Sequence, residues 1–425
     1  MRYFKNTSWM MSEKVLRIVA ALTIGAWVTR YLGPTDFGIL SYAQSFVGLF
    51  AAFSTLGLDR LLARELVKES EQKYVLLGTS FILQTIGSTI LVSLLFISIY
   101  FNDNDELTNK IIVIMGLLTF VNSFNIIGAY FQSIVKTKHV VITSIIGLIV
   151  FTIIRIVLIL NDAPLIYFVY AIAFDTIFLI LGAIYVYFRS KQSLFKWKFS
   201  KTKAKSLLSD SWPLILNAIF ISVYVRIDQV MIKEVMDSES VGQYAAAVTL
   251  SQAWYFIPGI IGSSLFPAIV NAKKVSESLY YDRLQKLYDL MVLLSVSIAI
   301  AMTFLSDWVV EFMYGSEFYL TGDVLSIHIW AGVFVFLGVS VSKWILTENL
   351  QRISSFNLFI GMVSNIILNI IMIPKFGVIG AAFATLISQS ISVLFTPLLF
   401  KKTRPSFFMM IKALSFTSVL RRVFK

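Results

Sequence analysis

The sequence holds no cysteine and only two histidines, His139 and His328, in 425 residues. The first absence excludes disulfides and thiolate metal sites. The second argues against a histidine-built metal centre or catalytic triad, and no cofactor or metal is expected. Charge is scarce as well. Asp, Glu, Lys and Arg make up 14% of the chain, against about 25% in ordinary soluble domains. Polar linkers of the kind that divide a soluble chain of this size are missing. No cleavable signal peptide stands out, because the first apolar run is simply followed by more.

What fills the chain is hydrophobic surface. Hydrophobic residues are 57% of the sequence, aromatic residues 15%, and the mean hydropathy is +0.80. A membrane-spanning helix needs about 20 apolar residues. Segments meeting that need fall at 14–32, 37–58, 75–101, 110–131, 140–160, 165–188, 211–235, 241–266, 287–306, 323–342, 354–373 and 377–400. The expected fold is therefore all-α: a polytopic membrane protein of about twelve transmembrane helices.

The connections alternate in character. One set carries most of the 36 Lys and Arg residues, from Arg2, Lys5 and Lys14 to the run between Arg189 and Lys205 and the tail ending at Lys425. The other set holds Lys110, Lys233 and Lys375 among acids such as Asp36, Asp103, Asp162 and Asp237. The positive-inside rule makes the basic side, with both termini, cytoplasmic. The net charge of +12 is then mostly topology and calls for no nucleic acid. The run from Lys191 to Lys205 is also suited to anionic headgroups. In the tail, apolar residues at helical spacing alternate with basic ones, which fits an interfacial helix or a disordered end.

The two halves resemble each other. YLGPTDFGILSYAQS in the first matches VMDSESVGQYAAAVT in the second, with Gly38 on Gly242 and Ala43 on Ala247. The expected layout is a six-helix lobe at 1–188, a basic cytoplasmic connection at 189–210, a second six-helix lobe at 211–400 and a basic cytoplasmic tail at 401–425. Two such lobes around a central cavity follow the repeat logic of secondary transporters.

Ser211–Met236 is the segment that points to a mechanism. It is apolar enough to span, yet it carries Arg226 and Asp228. A charge at bilayer depth costs about 2.5–3.5 kcal/mol or more and is kept mainly facing a bundle interior or a wet cavity. Two residues apart, Arg226 and Asp228 point to different sides of their helix and do not pair. Arg17, Arg30 and Arg155 also lie within spans, and Asp175 is about 15 Å from the outer end of the sixth. Asp175 is a candidate partner for Arg226 or Arg155.

Two readings of these charges stand. In one, the arginines line a cavity and bind a pyrophosphate through their bidentate fork, while Asp175 and Asp228 couple transport to protons or sodium. In the other they are ion pairs that lock helices together, with Arg30 snorkelling to the interface. Gln44, Gln84, Asn122, Asn125, Asn217, Gln229, Gln252, Asn365, Asn369 and Gln389 recur in the spans, as partners for sugar hydroxyls or as interhelical contacts of about 0.6 kcal/mol each. His328 reads as a satisfied core histidine.

Four stretches carry a family resemblance: TRYLGPTDFGILSYAQSFVGLFAAFSTLGLDRLLARELVK, VRIDQVMIKEVM followed by VGQYAAA, EFMYGSEFYLTGDVL, and IPKFGVIGAAFATLIS. The chain resembles a Wzx-type O-antigen or polysaccharide-repeat flippase of the multidrug/oligosaccharidyl-lipid/polysaccharide (MOP) exporter superfamily. The resemblance implies a substrate, an undecaprenyl-pyrophosphate-linked oligosaccharide, carried from the cytoplasmic to the periplasmic leaflet of a bacterial inner membrane by alternating access with a proton or sodium counter-ion. It implies a polysaccharide polymerase and a chain-length regulator as partners. Family cavity arginines carry over to Arg17 and Arg226. The sequence lacks the additional helix pair of the lipid II flippase branch.

Two alternatives compete. A drug or cation antiporter of the same superfamily should have an acidic or aromatic site, not an arginine-rich one. A membrane polymerase or glycosyltransferase needs sizeable outer loops with clustered acids and bases, and the longest outer connection runs only from about 307 to 323.

Overall fold

The computed structural model describes residues 2–415, with side chains from Ser8 onward except at Arg60. The end of the basic tail, with Arg421, Arg422 and Lys425, lies outside the described residues, as do the side chains of Arg2, Lys5 and Arg60. Among the described residues there is no strand. An apolar chain in lipid must satisfy its backbone polar groups within each segment, and the helix does this.

Two compact units divide the chain. One is formed by the residues up to Leu32 with Ile39–Arg226, the other by Gly33–Gly38 with Ile227 onward. In the first unit α1 (Arg2–Ala20) passes through a π-helical turn into α2 (Ala26–Leu49). There follow α3 (Ala51–Thr55), α4 (Leu58–Lys68), α5 (Lys73–Phe101), α6 (Glu106–Asn122), α7 (Ile126–Ser133), α8 (Lys138–Leu160) and α9 (Leu165–Arg189). Then comes α10 (Lys201–Val235), as far as Arg226. The second unit holds the end of α10, then α11 (Ser238–Gln252), α12 (Phe256–Val275), α13 (Glu277–Tyr314), α14 (Thr321–Thr347), α15 (Gln351–Ser390) and α16 (Arg404–Leu414).

Among the described residues, ten helical stretches are long and apolar enough to cross a membrane. Two of them, Ser8–Leu49 and Gln351–Leu398, have 42 and 48 residues. At 1.5 Å per residue each exceeds about 60 Å, twice a bilayer core. Each is broken at a glycine: Gly33 at φ 67°, followed by Pro34, and Gly377 at φ 57°, three residues after Pro374. A left-handed φ suits glycine, and proline removes a helical N–H, so the chain turns at both places. Dividing the two stretches there gives the twelve segments expected from hydropathy.

The connection expected at 189–210 is shorter than that, because α10 starts at Lys201. Residues 190–200 are held by the first unit. Lys198 N donates to the Tyr74 carbonyl at 3.1 Å, Ser200 N to Thr79 Oγ1 at 3.1 Å, and Trp197 Nε1 to the Tyr187 hydroxyl at 3.1 Å. Trp197 also packs on Phe81, Phe124 and Tyr187. The tail begins as a helix. Ser406, Met409, Met410 and Ala413 of α16 are buried, the Ser406 hydroxyl is 2.8 Å from that of Tyr288, and Gln285 donates to the Met409 carbonyl at 3.1 Å.

The second unit contains a close backbone crossing. The Gly33–Gly38 piece of α2 lies against the start of α11, with Gly38 on the carbonyl of Ser238 and Gly242 on the carbonyl of Pro34. Asp237 caps α11 by accepting from Ser240 N at 2.7 Å, which fixes where that helix begins.

Candidate functional site

Helices α2–α6, α9 and α10 of the first unit surround a cavity of about 470 Å³. Its lining is polar for a membrane interior. Gln44, Gln84, Asn122 and Asn125 contribute amides, and Ser54, Thr55, Thr119, Ser123 and Thr176 contribute hydroxyls. Asp59 supplies one carboxylate and Arg226 one guanidinium, with Met115, Leu118 and Ile172 as apolar wall. Asp59 is held by Gln84, whose Nε2 donates to it at 3.1 Å. The helix turn that presents Asp59 is made by Leu56 and Gly57, at φ 48° and 64°.

Arg226 is half-buried and makes no ion pair among the described residues. Its side chain lies across Gly48, where an added Cβ would sit 3.0 Å from Cζ and closer still to Nε. Glycine at 48 is therefore what lets the guanidinium lie along this wall. A fork with five donors, unmatched by a carboxylate, is suited to a phosphate or pyrophosphate oxygen.

The other sequence-nominated cations sit elsewhere. Arg155 on α8 pairs with Asp175 on α9, Nη2 to Oδ2 at 3.6 Å. Arg17 is within electrostatic reach of both and forms an i,i+4 pair with Glu13 at 3.1 Å. Arg30 is exposed on α2. Arg226 lines the cavity just described; Arg17, Arg30 and Arg155 do not. Asp175 thus takes the second of its two candidate partners, and the Oδ1 atom that Arg155 leaves over has no protein partner.

Asp228 belongs to the second unit and is 4% exposed. Its Oδ2 accepts from the Tyr244 hydroxyl at 2.7 Å and the Thr385 hydroxyl at 2.6 Å, and its Oδ1 accepts from Asn369 Nδ2 at 2.5 Å. Asn369 Nδ2 also donates to Asn365 Oδ1 at 3.2 Å. No Lys, Arg or His lies within ion-pair distance among the described residues. Three donors to one carboxylate, at about 1.5–3 kcal/mol each, offset much of the cost of burying it. The carboxylate, its two hydroxyl partners and the Asn365 amide oxygen offer oxygen to a ligand and no thiolate, which suits a hard monovalent cation or a proton and not a thiophilic metal. Among the described residues no cluster of three His, Cys, Asp or Glu offers a transition-metal site.

Sequence reasoning named Arg226, Asp228, four of the cavity amides and the two asparagines beside Asp228. It missed Asp59, Tyr244, Thr385 and the cavity hydroxyls. A short hydroxyl or a tyrosine in an apolar run looks the same whether it bonds its own helix or a site across the bundle. His328 is the core histidine expected: it is 3% exposed, with Nδ1 at 2.9 Å from the Ser251 hydroxyl.

Residues 3–273 match a family model described as polysaccharide biosynthesis protein, and residues 229–423 match one described as lipid II flippase MurJ. A putative O-antigen transporter of Shigella flexneri is 24% identical over 415 residues, covering 94% of this chain and 97% of that protein. Among solved structures, the inward-facing conformation of a multidrug resistance MATE family transporter of the MOP superfamily superposes with a TM-score of 0.70 at 12% identity, over 90% of this chain and 94% of that one. Lipid II flippase MurJ in its inward closed conformation gives 0.66 at 18% identity, over 97% and 91%. At these identities the structural likeness speaks for the fold.

Proposed function

The chain belongs to the polysaccharide biosynthesis protein family, and on that ground we propose that it flips an undecaprenyl-pyrophosphate-linked oligosaccharide across the bacterial inner membrane. It is a multi-pass transporter, not an enzyme, and no bond is made or broken. The repeat unit enters from the cytoplasmic leaflet and leaves in the periplasmic leaflet by alternating access. A downstream polymerase with its chain-length regulator consumes the product.

The observation that carries this reading is the company Arg226 keeps. One unpaired guanidinium stands among four amides and five hydroxyls in a cavity of about 470 Å³. Ligand pockets run from about 300 to 1,000 Å³. Guanidinium suits the pyrophosphate, and amides and hydroxyls suit sugar hydroxyls. The Shigella flexneri relative supports the substrate class. Lys and Arg in the alternate connections, from Lys68 and Lys73 to Lys343 and Arg352, support cytoplasmic termini.

Counter-ion coupling belongs to Asp228. A buried carboxylate with oxygen neighbours and no fixed cation exchanges a proton or sodium at little structural cost. Arg17, Arg155 and Asp175 form a second charged group in the first unit that guides the pyrophosphate. A drug antiporter is the second reading, favoured by the MATE-like fold and by Asp59. The charge on Arg226 opposes it, since it repels cationic drugs.

The experiment is Arg226→Ala in the native host, following lipid-linked repeat units and surface polysaccharide. The expected result is accumulation of the former on the cytoplasmic side and loss of the latter. Unchanged polysaccharide from a correctly folded variant would remove Arg226 from the mechanism.

A further inference from the structure

Among the described residues, several buried side-chain polar atoms lack a hydrogen-bond partner, and three of them belong to asparagines on one face of α15. They are Asn357 Oδ1, Asn365 Nδ2 and Asn369 Oδ1. The three residues are 8%, 0% and 0% exposed. With Gly361 they fall at every fourth position, so they stack on successive turns. Gly361 is also buried and puts no side chain into the step between Asn357 and Asn365.

Such atoms are costly. An unsatisfied buried amide loses about 1–3 kcal/mol, and a hydrophobic residue would avoid the loss. Reversing the Asn369 amide would not help, because its Nδ2 already serves both Asp228 and Asn365. The row has a direction. Its upper end is the Asp228 site. Its lower end, twelve residues or about 18 Å away, nears the α14–α15 turn, where Lys343 and Arg352 lie. Hydroxyls accompany it. Ser388 donates to the Thr385 carbonyl at 3.0 Å, and Ser392 to the Asn357 carbonyl at 2.9 Å.

We propose that the Asn369–Asn365–Asn357 face of α15 is the hydrated path along which the counter-ion moves between Asp228 and the basic side of the membrane. The proposal rests on Asp228 being the coupling site. Amide oxygens and hydroxyls along the path replace water around a sodium ion or relay a proton through water. None of the row is charged, so the ion is passed on and not trapped.

The natural absence of cysteine makes the test direct. Asn357→Cys, Asn365→Cys and Ile367→Cys are made singly in the full chain and treated with a membrane-impermeant cationic methanethiosulfonate from the basic side. Ile367 is 51% exposed on the outside of the same helix. Cys at 357 and 365 should react about tenfold or more faster than at 367, because thiolate forms where water reaches it. Sodium or low pH should slow the reaction at 365. Labelling at 357 no faster than at 367, in a folded and active variant, overturns the path and leaves Asp228 untouched. If Asn357→Cys does not fold, Asn357→Ser and Asn357→Leu decide. The leucine variant should lose about tenfold in maximal flipping rate, equivalent to about 1.4 kcal/mol, at an unchanged half-saturating sodium or proton concentration, while serine retains the rate. Full rate with leucine overturns the proposal. Flipping by the unaltered protein that ignores both sodium and pH removes the coupling reading, which labelling does not address.

Discussion

Gly38 and Gly242 meet backbone to backbone, each against the carbonyl one turn before the other: Ser238 for Gly38, Pro34 for Gly242. The contact is reciprocal. The sequence match that set Gly38 on Gly242 therefore aligned two residues that touch. No side chain can be inserted, because the opposing atoms are backbone. Gly38→Ala or Gly242→Ala should destabilise the protein by about 1–3 kcal/mol through overpacking. Thermal unfolding in detergent reads this as a lowered midpoint, and an unchanged midpoint would show that the crossing opens freely.

Gly48 offers a way to displace Arg226 without changing its charge. A methyl at 48 overlaps the guanidinium stem, so the flexible Arg226 side chain has to shift to make room for it. Gly48→Ala should therefore mimic Arg226→Ala, with flipping reduced about 10- to 100-fold, the equivalent of one charge-assisted hydrogen bond of roughly 1.5–3 kcal/mol. Arg226→Lys should recover part of the rate, because lysine keeps the charge and loses the fork. Initial rates with a fluorescent lipid-linked sugar in vesicles compare the three. A Gly48→Ala variant at full rate would detach Arg226 from substrate handling.

How much of this was legible beforehand follows from the physics of each signal. Hydropathy located the segments because lipid demands about 20 apolar residues in a row. The breaks at Gly33 and Gly377 were legible because Leu-Gly-Pro and Pro-Lys-Phe-Gly interrupt long apolar runs. The partner of Asp175 was narrowed to Arg155 or Arg226 and no further, since nothing local says which helix packs beside α9. The shared cavity expected for Arg17, Arg155 and Arg226 rested on depth alone. Depth gives the height of a residue in the membrane and leaves its bearing around the helix open. Asp59 was hidden because its helix starts at Leu58, just after the expected span, and a segment with Asp59, Arg60, Arg64, Glu65 and Lys68 after an apolar run reads as the end of a span.

Arg155 and Asp175 are a partly buried pair, with side chains 25% and 15% exposed. Removing one partner strands the other. Arg155→Ala and Asp175→Ala should each cost more than the double substitution, with a coupling of about 0.5–3 kcal/mol in a double-mutant cycle. Folded yield and midpoint temperature measure the stability side. Flipping rate separates the roles: if the pair only locks α8 to α9, the double variant flips normally, whereas a guide for pyrophosphate stays impaired without Arg155.

Asp228 makes the sharpest prediction about coupling. A ligand that binds only the folded form stabilises it by RT ln(1 + [L]/Kd), about 1.4 kcal/mol at ten times Kd. Sodium, or protons if they are the coupling ion, should then raise the unfolding midpoint of the unaltered protein in a concentration-dependent way. Asp228→Asn keeps the size of the side chain and removes its charge. The Tyr244 and Thr385 hydroxyls can still donate to the amide oxygen, so the fold should survive. The midpoint of this variant should ignore the cation, and its flipping should lose cation dependence while some substrate binding remains. Asn369→Leu removes a donor and an amide oxygen but leaves the charge, so it should weaken cation affinity without abolishing the response. Equal cation stabilisation in Asp228→Asn and the unaltered protein would place the coupling site elsewhere, because no neutral side chain in this cluster replaces the carboxylate.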